Sequence, residues 1–185
     1  MISGFALLLA AATAVPAFDA EFSLESKDCS YQNYSNHSRH AFSQVDGHSA
    51  VTFTYANGKD AKAYDTMWGV ETRPFAVTGG YEGFFKIVLS GKVGMALRPG
   101  GQITWLKADG SPLLYQDALG KMSPVTSSLK LPPPGAEDGV TFAWTRCQVP
   151  PEAKLAKFGF KVDSPDIKAG QQVTVRTLAY YEHVR

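Results

Sequence analysis

A chain of 185 residues with 18 Lys and Arg against 17 Asp and Glu carries a formal net charge of +1, and its basic residues stand singly between Lys27 and Arg185. That distribution excludes the basic stripe a nucleic-acid partner would require. The length suits one well-buried core, hence one domain, and two cysteines without a Cys-x-x-Cys or Cys/His cluster exclude the common structural zinc motifs.

The chain opens on an apolar run from Ile2 to Val15. It is short for a hydrocarbon core of about 30 Å but suits the h-region of a signal peptide. Small residues at Val15-Pro16-Ala17 offer a cleavage point, so residues 1–17 read as a signal peptide and 18–185 as an exported domain with no membrane span after cleavage. The n-region departs from the pattern in having no Lys or Arg. In an exported chain Cys29 and Cys147 read as a disulfide between the first strand region and a late one; the alternative is two separate thiols.

Beyond Phe22 short β-type runs alternate with turn-rich connections, and no sustained helical stripe appears. The spacing predicts strands over 22–25, 50–55, 63–71, 74–77, 83–91, 102–107, 140–149, 155–162 and 172–181. Turns are expected at Asn57-Gly58, Gly79-Gly80, Pro99-Gly100-Gly101, Asp109-Gly110 and Ala169-Gly170. Two long connections remain, 27–48 and 116–138, the second holding a Pro run. Alternation assigns to the core Val51, Phe53, Tyr55, Phe85, Ile87, Leu89, Ile103, Trp105, Phe142, Trp144, Phe158, Phe160, Val162, Val173, Val175 and Thr177. Leu178 and Tyr180 fall on the opposite parity, which predicts a bulge in the last strand or a strand covered on both faces.

The late segments carry a resemblance. Trp144-Thr145-Arg146-Cys147-Gln148-Val149-Pro150-Pro151 ends a strand in a Val-Pro-Pro turn. An alternating strand follows, then a last strand after Gly170, while Ile103 to Gly110 supplies an earlier strand closed by Asp-Gly. In this order the segments resemble the carbohydrate-binding modules, the galactose-binding-like jelly rolls. The resemblance implies an all-β, two-sheet antiparallel β-sandwich, and a secreted, non-catalytic module that recognises a poly- or oligosaccharide by aromatic stacking and hydrogen bonding. It also implies a structural role for Trp144. Two other functions suit the same fold: a structural or adhesion sandwich docking extracellular protein partners, and a small jelly-roll polysaccharide lyase. The lyase strand signatures Arg-x-Glu-x-Arg and Gln-x-His are missing, and no pair of carboxylates is singled out for glycosidase chemistry.

Sugar recognition needs aromatic faces for C–H surfaces and planar polar groups for hydroxyls. Tyr64 and Trp68 share one parity and Arg73 follows them, so these three form the expected ligand site, with Tyr115 beside the Asp109-Gly110 turn as a further contact. The resemblance further implies a structural Ca²⁺, for which Glu25, Asp28 and Asp46 are the available carboxylates. Where the family places acidic residues in the last strand, this chain has Val175-Arg176-Thr177-Leu178. His37, His40 and His48 lie in a polar stretch without the partners a zinc site needs.

Overall fold

The computed structural model describes residues 20–25, 27–33, 38–55, 68–91, 98–130, 140–163 and 170–183. The expected signal peptide, Tyr64, His37, the Asn57-Gly58 turn and the Pro run lie outside them, as do the side chains of Tyr55, Trp68, Phe142, Trp144 and Val162.

The described residues form fourteen strands: β1 (Ala20–Glu21), β2 (Cys29–Asn33), β3 (Ser38–Val45), β4 (His48–Tyr55), β5 (Trp68–Thr72), β6 (Phe75–Ala76), β7 (Glu82–Gly91), β8 (Arg98–Leu106), β9 (Leu114–Gln116), β10 (Met122–Pro124), β11 (Thr126–Lys130), β12 (Val140–Gln148), β13 (Leu155–Asp163) and β14 (Gln172–His183). The first sheet runs β12-β7-β14-β4-β3, with β1 also on β14; the second runs β11-β8-β13-β5-β2, with β6 also on β13. Strands β9 and β10 pair only with each other. Every pairing is antiparallel. This is the two-sheet antiparallel β-sandwich that the resemblance implies.

The two inner faces meet at aromatic rings. Phe85 of β7 stacks on Phe158 of β13 with centroids 4.4 Å apart, which ties the middle of one sheet to the middle of the other. Val51, Phe53, Ile87, Leu89, Ile103, Trp105, Phe160, Val173 and Val175 are buried around them, as their strand parity predicts. Thr177 is the exception and is only half-buried. The register of β14 against β7 slips between Val175 and Thr177, so β14 carries a bulge. Beyond it Leu178 and Tyr180 turn into the core.

Other expectations give way. The segment predicted as a strand over 22–25 leaves the sheet after β1, although Phe22 and Leu24 are buried. The Leu24 N–H is satisfied by Ser49 Oγ at 2.8 Å instead of a ladder partner. Pro99-Gly100-Gly101 forms no turn and lies inside β8, opposite Val162, Lys161 and Phe160; a Pro near a strand's start costs the ladder little. The connection expected over 27–48 contains the edge strands β2 and β3, and that over 116–138 contains β10 and β11.

Cys29 and Cys147 do not pair: both are buried free thiols. They stand on strands of different sheets, Cys29 opposite Thr72 and Cys147 opposite Gly83. Burial pushes each thiol up to about 12, aided by the Asp28 carboxylate at Cys29 and by Glu182 at Cys147.

Candidate functional site

The outward face of the first sheet carries a continuous strip of functional groups. On β7 the residues opposite in parity to Phe85 and Ile87 are Glu82, Phe84, Lys86 and Val88. In register beside them on β14 stand His183, Tyr181, Ala179 and Thr177. Phe84 and Tyr181 stack as cross-strand neighbours, centroids 5.1 Å apart and planes 7° apart. His183 sets its edge against both rings, at 5.3 Å and 5.6 Å. Arg146 of β12 lies opposite Phe84 and pairs with the Glu82 carboxylate.

Four residues along β7 from Phe84, about 13 Å at strand rise, the strip ends in a hollow of about 200 Å³ lined by Val45, Asp46, His48, Lys86, Val88, Arg176 and Thr177. The bulge builds this end. Two successive residues, Arg176 and Thr177, line the same hollow because the extra residue breaks the alternation there. The hairpin turn between β3 and β4 supplies the opposite wall: Asp46 at φ 53° and Gly47 at φ 80° close a two-residue loop of the type that Asp-Gly favours. Arg176 pairs with Asp46, and His48 Nδ1 lies 2.9 Å from Glu21 Oε1. The hollow thus offers donors on Arg176 and Lys86, an acceptor on Asp46, the imidazole of His48 held by Glu21, and a hydroxyl on Thr177 that does either.

At one end of the strip, then, lie rings with an apolar face, and at the other a nearly charge-balanced set of hydrogen-bonding groups. The hollow is smaller than the roughly 300 Å³ at which pockets for drug-sized ligands begin. It would take one ring or one substituent of a larger ligand; along the strip Phe84 and Lys86 are half-buried, while Tyr181, Ala179 and Val88 are buried. Burial raises the Tyr181 phenol above its ordinary range, so it contributes a ring and not a charge.

Of the residues expected from sequence to bind ligand, Arg73 and Tyr115 are described, and they stand on separate elements. Tyr64 and the Trp68 side chain lie outside the described residues. Arg73 is exposed on the second sheet's side and is used structurally: its Nε donates to the Lys27 carbonyl at 2.9 Å and its backbone N–H to Asp28 at 2.7 Å. Tyr115 is exposed, as expected, but on the separate β9–β10 hairpin.

The carboxylates proposed for calcium do not converge. Glu25 accepts from Gln44 Nε2 at 3.2 Å, Asp28 accepts the Ser23 N–H at 3.0 Å, and Asp46 holds Arg176. Among the described residues no group of three or more His, Cys, Asp or Glu is arranged to hold a metal, so these residues do not fit an ion that wants six to eight oxygens. His40 stacks on Tyr31 at 5.1 Å and His48 faces Glu21.

Parity places Phe84, Lys86 and Val88 on the face away from the core, and nothing in their sequence marks that face as a site. The parity conflict at Leu178 and Tyr180 was the available signal, since it marks the bulge that presents Arg176.

Among solved structures, the chain is similar to the enzymatically active domain of tailspike protein 4 of bacteriophage CBA120, with a TM-score of 0.51 at 10% identity over 84% of this chain and 19% of that one. It is also similar to the carbohydrate-binding and catalytic modules of a Clostridium thermocellum endo-1,4-beta-D-xylanase, solved with xylohexaose (TM-score 0.49, 10% identity, 91% of this chain, 28% of that one). A xylan-binding domain from Paenibacillus barcinonensis follows at a TM-score of 0.47, 8% identity and 90% and 95% coverage. The chain spans about a fifth of the tailspike chain and just over a quarter of the xylanase chain. Most of the similar structures are carbohydrate-binding modules, jelly-roll β-sandwiches. At these identities the likeness is one of fold. No family model matches the sequence, and no curated protein does.

Proposed function

We propose that the protein is a non-catalytic glycan-binding module whose site is the outward strip of the first sheet. The observation that carries this reading is the half-buried Phe84 ring, backed by the buried Tyr181, on the same sheet face as the hollow of Lys86, Arg176, Asp46, His48 and Thr177. Apolar sugar faces are recognised by rings of this kind, and sugar hydroxyls need donors and acceptors side by side, which Arg176 with Asp46 and His48 with Glu21 supply. The resemblance of the strand order to carbohydrate-binding modules agrees with it. The apolar run at residues 2–15 supports an exported protein. Among the described residues no helix is long and apolar enough to cross a membrane.

The test is titration calorimetry against soluble polysaccharides, with melting temperature followed in parallel. Phe84→Ala and Arg176→Ala are expected to weaken binding at least tenfold without a comparable loss of stability, while Arg73→Ala and Tyr115→Ala bind as the parent does. Binding that survives Phe84→Ala and is lost in Trp68→Ala would move the site to the second sheet. A folded protein that binds no glycan would sink the reading.

A further inference from the structure

The β9–β10 hairpin belongs to neither six-stranded sheet. Its base is tied down: Leu113 N–H donates to Trp105 O at 2.9 Å, Val125 N–H to Leu113 O at 2.7 Å, and Trp105 N–H to Val125 O at 3.2 Å. Leu113 is buried there. Beyond this anchor the hairpin exposes an unusual set of large apolar side chains: Leu114 at 48%, Tyr115 at 52%, Met122 at 53% and, at the tip, Leu119 at 94%. Isolated exposed apolar residues need no explanation, but four on one projecting hairpin do.

The backbone of the tip is closed on itself. Asp117 Oδ1 accepts the N–H groups of Leu119 and Lys121, both at 2.9 Å. Gly120 N–H donates to Asp117 O at 2.9 Å and Asp117 N–H to Lys121 O at 3.0 Å, while Gln116 Nε2 caps the Gly120 carbonyl at 3.2 Å. Four of the five N–H groups from Asp117 to Lys121 are thus satisfied within the turn, which lowers the cost of entering a medium poor in water.

Three observations select the occupant. Leu114 to Pro124 is eleven residues long, against the roughly 20 to 30 residues a side of a standard protein interface, so the hairpin alone is too small to hold a second copy stably. The most exposed of the four, Leu119, stands at the turn between the strands and not along a strand edge or in a groove. Lys107 and Lys121 are matched by Asp109 and Asp117, which leaves no net charge to attract a charged partner. We infer that the hairpin inserts Leu119 at its tip, with Met122 and Leu114 behind it on one face and Tyr115 on the other, into the interfacial region of a lipid bilayer, as a weak and reversible contact driven by apolar burial.

The native thiols are buried, so Leu119→Cys in the full chain supplies one accessible site for a polarity-sensitive fluorophore, and Ser43→Cys on exposed β3 supplies a remote control. With vesicles of phosphatidylcholine the label at 119 is expected to shift to the blue and the label at 43 to stay in water. This local readout separates insertion of the hairpin from attachment through residues 2–15. Adding Leu114→Asp and Met122→Asp should lower the partition at least tenfold, and raising the salt should leave it within about twofold. No shift at 119, an equal shift at 43, or indifference to the two Asp substitutions overturns the inference. So does self-association without lipid that the same substitutions abolish, which would make the occupant a second copy.

Discussion

Thr72 Oγ1 accepts the backbone N–H of Phe158 at 3.0 Å across the second sheet, at the point where β13 changes partners. Residues Gly159 to Val162 pair with β5 and residues Leu155 and Ala156 with β6, so between them the Phe158 amide has no ladder acceptor on that side. Thr72 is the one buried polar side chain among the described residues, and it fills the gap left where the chain breaks at Arg73-Pro74. Thr72→Val keeps the shape and removes the acceptor, leaving a buried donor unsatisfied. It is expected to destabilise the fold by about 1 to 3 kcal/mol, whereas Thr72→Ser should recover most of that; urea denaturation of the three proteins measures both.

Central strands are legible in the sequence because the core face of each is apolar without interruption, as at Phe85, Ile87 and Leu89 or at Phe158 and Phe160. Edge strands are not, since they bury little. In β3 the residues Ala41, Phe42, Ser43 and Gln44 are all exposed, so no burial pattern betrays it, and only Asp46-Gly47 announces the hairpin. Tertiary geometry hides the rest: Thr177 obeys the core parity in sequence and loses it to the bulge, and Arg176 becomes part of a hollow only once the turn after β3 is set opposite it.

The thiols make stability fall at alkaline pH. In the unfolded chain each ionises near its ordinary value of 9.0, while the fold holds the proton to about 12. Between those limits the unfolded state binds fewer protons than the folded one, so stability declines as pH rises, by at most about 1.4 kcal/mol per pH unit for each thiol. The wild type should lose more stability between pH 8 and 10.5 than the Cys29→Ala, Cys147→Ala double variant; equal losses would show that the thiols ionise normally in the fold. Alkylation should find no reactive thiol in the native protein and two after denaturation.

Two glycines should fail for different reasons. A Cβ on Gly47 would meet nothing within 4 Å, so Gly47→Ala costs only the strain of φ 80°, about 1 kcal/mol, and Gly47→Asn costs less. A Cβ on Gly79 would lie 2.1 Å from the carbonyl oxygen of Pro151, which is backbone and does not swing aside. Gly79→Ala should therefore cost about 3 kcal/mol or more, and no small residue should rescue it. Thermal melts of the three variants rank the two effects.

The bulge separates function from fold in a way that a deletion tests. Val175 faces the core opposite Leu89, and Thr177 lies opposite Val88, so Arg176 is the residue that regular pairing would not need. Removing it leaves Val175 inward, Thr177 outward and Leu178 inward, a strict alternation that preserves every buried side chain of β14. The deletion protein is expected to fold, with a melting temperature within a few degrees of the parent, and to lose glycan binding with the arm that faces Asp46. Deleting Thr174 instead shifts Val173 off the core face while keeping the bulge, and that protein is expected not to fold. If deletion of Arg176 unfolds the chain, the bulge is required by packing and its place in the site is incidental; if it folds and still binds, the hollow is not where the ligand sits.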